Sequence, residues 1–281
     1  MTASCQRTPS MSPDLLFWLA LLLKLAVTAV FVVGASYAAE RAGPLVGAMV
    51  ATLPIAAGPA YFFLALDHDA AFIAQSALAS LVVNVVTSIF SLVYAVRAQR
   101  YGLAASVVPA LAIWFALSYF VRSVEWTTWS ALVFNVVGIA VCIALGERFR
   151  HVRVPPTLPH WTDMLLRAGM VAVLVATVVG LSATVGPTVT GILAVFPIVL
   201  LSLTLILHPR IGGPATAAVL ANSLLGMAGF SATCLFAHLA VERIGVAAGL
   251  TLALAVSVGC NLAFWAYRRR NAAPAGASPR Q

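Results

Sequence analysis

The sequence predicts an all-α polytopic membrane protein of about nine transmembrane helices, arranged as two inverted four-helix repeats joined by one extra helix. Three observations lead there. The 281 residues are 62% hydrophobic and only 9% charged, against about 45–50% apolar and about 25% charged in a soluble domain. The apolar residues run on for about 20 positions at a time, enough for a helix to cross the hydrocarbon core. They do not alternate as barrel strands would. The two halves also align on each other, without a gap, at an offset of 143 positions.

The spans follow in order. The first, 16–39, begins after Asp14 and carries Lys24, the only lysine in the chain. The second, 44–66, holds Pro54 and Pro59 in its interior and ends at the loop "DHDA". The third and fourth, 71–96 and 101–121, are separated by a short basic turn. The fifth, 128–146, has no counterpart in the other half. The longest connection, Glu147 to Asp163, separates the halves. The sixth and seventh, 163–184 and 187–207, follow, with Pro197 in the middle of the latter. The eighth and ninth, 214–240 and 244–266, close the bundle. The resulting divisions are an outside tail (1–15), a first membrane repeat (16–126), a linking helix with a cytoplasmic loop (127–158), an inverted second repeat (159–267) and a disordered Pro/Ala/Gly-rich tail (268–281).

The duplication is clearest where "GPLVGAMVATLPI" (Gly43–Ile55) lies over "GPTVTGILAVFPI" (Gly186–Ile198). Trp18 then meets Trp161, Lys24 meets Arg167, Ser88 meets Ser231 and Gly102 meets Gly245. An odd helix between the repeats turns the second one over. Asp67 corresponds to Arg210, and Glu125 to Arg268, so equivalent positions carry acid on one side and base on the other.

Orientation comes from the basic residues. With the C-terminus inside, 12 of the 16 lie on the inner side, three (Arg7, Arg122, Arg243) on the outer side, and Lys24 within a span. The positive-inside rule then places the N-terminus outside and the C-terminus in the cytoplasm. A bacterial inner (plasma) membrane is the expected location. The net charge of +8 is thereby topological and does not mark a nucleic-acid binder.

The candidate site residues are polar, charged or helix-breaking groups inside spans. Proline removes a backbone bond, and the freed carbonyl needs a partner or a wet cavity. Pro54 and Pro197, with Gly58 nearby, therefore predict a break or kink beside a midplane cavity, as in inverted-repeat transporters. Lys24 and Arg167 are intramembrane cations by repeat symmetry, able to hold an anion or to snorkel to headgroups. Tyr61, Gln75, Asn84, Ser88, Asn222 and Ser231 can line a polar path or act as interhelical hydrogen bonds. His238 is read as bonded to a backbone carbonyl, and the "DHD" at 67–69 as a solvated loop. No metal, cofactor or catalytic group is expected. A carboxylate relay in mid-span, a Walker motif, HExxH, GxSxG and CxxC are all missing, which excludes an ATP-driven pump or a hydrolase of those kinds on this chain alone.

At "GAMVATLPI" and "GILAVFPIVLLSLTLIL" the sequence resembles the GlpM family of small bacterial integral membrane proteins. The resemblance rests on a short Gly-to-Pro core, once per half. It implies two fused copies in opposite orientation and a link to polysaccharide production, and it names no substrate. The leading expectation is a secondary transporter or exporter of a small anionic or amphipathic metabolite. A non-transporting component of cell-envelope or polysaccharide assembly is one alternative; a channel or a lipid-modifying enzyme is the other. The expected partners are the lipid bilayer and a small-molecule substrate, without nucleic acid. A homodimer is an open alternative.

Overall fold

Long apolar runs form helices throughout the described part of the chain. The structure, a computed structural model, describes residues 19, 22–34, 57–155 and 160–271. Pro54, the first copy of the repeated core at Gly43–Ile55, the N-terminal tail and residues 272–281 lie outside that set. Nine helices occur among the described residues: α1 (Leu22–Gly34), α2 (Ala57–Asp67), α3 (Ala70–Arg97), α4 (Leu103–Arg122), α5 (Thr128–Gly146), α6 (Trp161–Ala194), α7 (Ile198–Ile211), α8 (Gly213–Ile244) and α9 (Val246–Asn271). Five of them, α3, α4, α5, α6 and α8, are long and apolar enough to cross a membrane. The protein is a helical membrane protein.

Helix α3 is the centre. Asp69 caps its start by accepting from the Phe72 amide at 2.9 Å. About five-sixths of its most apolar stretch is buried inside the protein, against about a quarter for α4 and α5. Around it pack α4, α5, α6 and, most extensively, α8, while α9 lies against the far side of α8. Trp114, Tyr94, Phe90, Leu220 and Leu224 are the large side chains buried here. Lipid would cover the outward faces of α4 and α5, where Phe115, Phe120, Trp129 and Val133 are exposed.

Helices α3 and α8 run antiparallel. The Ala74 carbonyl meets His238, Asn84 meets Met227, Tyr94 meets Thr216, and Ala98 meets Gly213. The two helices begin at residues 70 and 213, and the next helix in each half begins at 103 and 246, both at the 143-residue offset. The contact at the middle of the pair joins two residues that are themselves 143 apart.

The sixth and seventh spans meet at the expected junction. Helix α6 is two helical segments joined by a kink at Gly186, whose φ of 76° and ψ of 173° break the helical run. Glycine reaches that left-handed value without the Cβ penalty, and Pro187 restarts the helix at a position that needs no N–H donor. The seventh span then stops at Ala194 and resumes at Ile198, so Pro197 interrupts it, as its sequence position predicts.

Candidate functional site

The polar residues of α3 recur every fourth position at Ser76, Ser80, Asn84 and Ser88, with Thr87 and Ser91 beside them. Spacing of four keeps them on one helix face. That face meets the interrupted span on one flank and α8 on the other.

At the interruption the backbone loses its regular bonds. Val195 and Phe196 donate back to Ile192 and Leu193 in tight turns, Pro197 has no donor, and Ile198 bonds Phe196 at 2.6 Å. The α3 hydroxyls reach into this gap. Ser80 donates to the Gly191 carbonyl at 2.7 Å and Thr87 to the Val195 carbonyl at 3.0 Å. Because each hydroxyl hydrogen is thereby spent, each oxygen accepts from the other side. Tyr61 donates to Ser80 at 2.7 Å, and Trp114 Nε1 donates to Thr87 at 3.0 Å. Ser76 adds a bond to the Pro187 carbonyl at 3.0 Å. Packing is close here: a Cβ at Gly191 would run into the Ser76 backbone carbonyl. Phe196 stands edge-on to Trp114, ring centres 5.0 Å apart, and closes the break from the α4 side.

The second polar junction lies at the α3–α8 crossing. Asn84 donates through Nδ2 to the Met227 carbonyl and to Ser231 Oγ, both at 2.9 Å. Ser88 bonds the Asn84 carbonyl, a turn back on its own helix. On the outward side of this crossing a cleft of about 370 Å3 opens between α3, α5 and α8, lined by Leu81, Asn135, Ile139, Ser231 and Leu235 among others. Another, of about 380 Å3, lies beside the Gly186 bend and touches Arg122, Val185, Thr188 and Val189.

The cations occupy the ends of the bundle. Lys24 forms an ion pair with Asp67 and stands over the Phe63 ring, so it is not the bare intramembrane cation that the sequence allows. Arg210 grips Asp163 with two bonds of 2.6 Å each. At the 143-position offset, residues 24 and 67 align with 167 and 210; the second half instead places its acid, Asp163, at the position of Ala20, one turn before that of Lys24, and its base, Arg210, at the position of Asp67. Arg167 is half-buried close to Asp163 in the sequence. The "DHD" loop is exposed at Asp67 and Asp69, in accord with its reading as a solvated loop, and its side chains also have partners. Asp67 pairs with Lys24, Asp69 caps α3, and His68 stacks on Phe72 and bonds Ser182 at 2.7 Å.

Other candidates are scattered. Gln75 is exposed, and Gly58 has open space where a Cβ would go. Asn222 accepts from Arg150 near the end of the bundle, away from the Asn84 crossing. His238 bonds the Ala74 carbonyl at 2.9 Å and Thr128 at 2.9 Å, in accord with its reading as a carbonyl-bonded histidine. Tyr61, Asn84, Ser231 and Pro197 are thus gathered around α3. Ser80, Thr87, Trp114 and Asn135 join them unpredicted; the four-residue spacing carries the signal for Ser80, while Asn135 is a single amide in an apolar run. No known family, no curated protein and no solved structure matches this chain.

Proposed function

We propose that the chain is a secondary transporter or exporter of a small amphipathic molecule in a bacterial inner membrane, with its N-terminus outside. One observation carries the reading: a membrane span interrupted at 195–197, whose carbonyls are held by side-chain hydroxyls of a neighbouring helix instead of by its own backbone. Such bonds can be exchanged for solvent or solute without unfolding a helix, and broken helices at mid-depth are how many transporters form their sites. The inverted-repeat reading is supported by the antiparallel α3–α8 pair centred on Asn84 and Met227, and by helix starts that match at the 143-residue offset. On that reading the axis passes between those two residues and lies in the membrane plane. The pairing of Lys24 and Arg210 with carboxylates favours an uncharged solute over an anion.

The test is uptake by proteoliposomes from a mixed pool of small metabolites. Saturable accumulation that a Thr87→Val variant, shown to be folded, lacks supports the reading. Absence of flux for every solute, in protein shown to be folded, overturns it.

A second reading has its own observation. The break at Pro197 is tightly closed by Ser76, Ser80, Thr87 and Trp114, as suits a non-transporting membrane component of envelope or polysaccharide assembly, the class that the GlpM resemblance implies. Co-purification of an envelope-polymer enzyme with inactive, folded protein would favour it.

A further inference from the structure

Among the described residues, two amide oxygens inside the bundle have no hydrogen-bond donor, and both lie at mid-helix. Asn84 is fully buried; its Nδ2 is engaged with Met227 and Ser231, and its Oδ1 meets no donor among the described residues. Asn135 is 2% exposed and lines the cleft between α3, α5 and α8. Its Nδ2 donates to the Leu81 carbonyl at 2.6 Å, and no described residue donates to its Oδ1. The orientation of both amides is set by their partners, because a flip would turn an amide oxygen onto a carbonyl oxygen. What is left over is therefore an acceptor in each case: that of Asn84 is enclosed, where acceptors are almost always satisfied, and that of Asn135, on the cleft lining, is not fully enclosed.

The cleft that Asn135 lines is uncharged and, apart from Ser231, otherwise apolar. Leu81, Ile139, Ile143 and Leu235 form its walls, and none of its lining residues carries a charge. Val136, Ala140 and Ala228 stand exposed at its edge, in the middle of helices long enough to cross a membrane. Its opening thus faces hydrocarbon. A volume of about 370 Å3 falls in the range of small-molecule sites, about 300–1,000 Å3.

We propose that this cleft binds a small uncharged amphiphile that enters sideways from the bilayer. Its hydroxyl or amide N–H donates to Asn135 Oδ1, and its apolar body lies against Leu81, Ile139 and Leu235. A charged head would lose its hydration with no opposite charge to meet. A plain acyl chain would fill the space and leave the amide oxygen unmet. The site is defined by binding alone and does not rest on transport.

The test uses the full chain in phosphatidylcholine nanodiscs and two photoreactive probes: a medium-chain alcohol carrying a diazirine, and its methyl ether, which cannot donate. The alcohol should label α5 and α8 around residues 132–143 and 228–235 saturably, and about tenfold more strongly than the ether, as one added hydrogen bond predicts. Ala228→Trp, at the mouth, should abolish the labelling; Val133→Trp, exposed on α5 outside the cleft lining, should not. Equal labelling of the wild-type chain by alcohol and ether, or labelling that does not saturate, overturns the proposal and leaves the cleft to bilayer lipid. Transport is not read, so either outcome leaves the flux experiment to be decided separately.

Discussion

The Asn84 side chain donates to the backbone carbonyl of Met227 across the α3–α8 crossing, at 2.9 Å, and Met227 is the residue that the internal repeat places over Asn84. On the proposed inverted-repeat reading, the symmetry point of the α3–α8 pair lies at that contact. The bond is partly buried and asymmetric, since methionine offers no amide in return.

Asn84 should therefore distinguish size from chemistry. Asn84→Leu loses two donated bonds but also removes an unmet oxygen, so the cost should be modest, about 1 kcal/mol, in line with interhelical bonds in membranes. Asn84→Asp keeps the size, loses the donor and buries an acid. It should be clearly worse than leucine at neutral pH and recover as the pH falls, because protonation restores a donor. Detergent-unfolding midpoints at two pH values check this. Equal midpoints for both variants would contradict it.

The close approach at Gly191 makes a sharp size prediction. Gly191→Ala drives a methyl into the Ser76 carbonyl, and overpacking of this kind costs about 1–3 kcal/mol. Gly180→Ala, on the same helix α6 with open space around it, should be neutral or slightly stabilising by helix propensity. Melting temperatures of the two variants, compared with wild type, decide it.

Thr87 ties Trp114 to the interrupted span. Thr87→Val keeps the shape and leaves both the Val195 carbonyl and the Trp114 N–H without their partner, at about 1–3 kcal/mol for each unmet buried group. Thr87→Ser should retain most of the stability. If valine proves as stable as serine, the relay is ornamental to the fold.

The ion pair between Arg210 and Asp163 should respond to charge order. Arg210→Asp alone places two acids together and should lower the melting temperature. Combined with Asp163→Arg it should recover, and added salt should shrink the difference. No recovery in the double variant would show that the geometry, not the charge, holds these ends together.

Topology is independently checkable. A cytoplasmic reporter fused after Arg270 should be active, from the 12-to-3 asymmetry of basic residues. Activity of a periplasmic reporter at that point would reverse the orientation.

Helix positions were largely legible in the sequence because apolar runs in a membrane are bounded by charges and glycines. The third span, expected at 71–96, forms Ala70–Arg97, and the fifth, expected at 128–146, forms Thr128–Gly146. The Gly186 kink was legible too: the Gly-Pro pair falls between the expected spans 163–184 and 187–207, and the helical run breaks there. Pro197 could be read as a break, since its missing donor is a local fact. What fills the break is not local. Ser80 and Thr87 lie more than a hundred residues away from the carbonyls they satisfy, and only the spacing of the α3 hydroxyls hinted at a common target. Lys24 was legible as an unusual cation and not as a paired one, for the same reason.

That separation also bears on the order in which the chain is made. Ser76, Ser80 and Thr87 precede their acceptors by 111, 111 and 108 residues. At a synthesis rate of about 5–20 residues per second, α3 leaves the ribosome roughly 5–20 s before the segment it will hold. Through that interval the carbonyls these hydroxyls will meet do not yet exist, and of their partners in the finished protein only Tyr61 and Trp114 can already be in place. Assembly of the bundle is thus timed by the arrival of residues 187–197, and a nascent chain stalled before them would hold most of its helices and none of these cross-links.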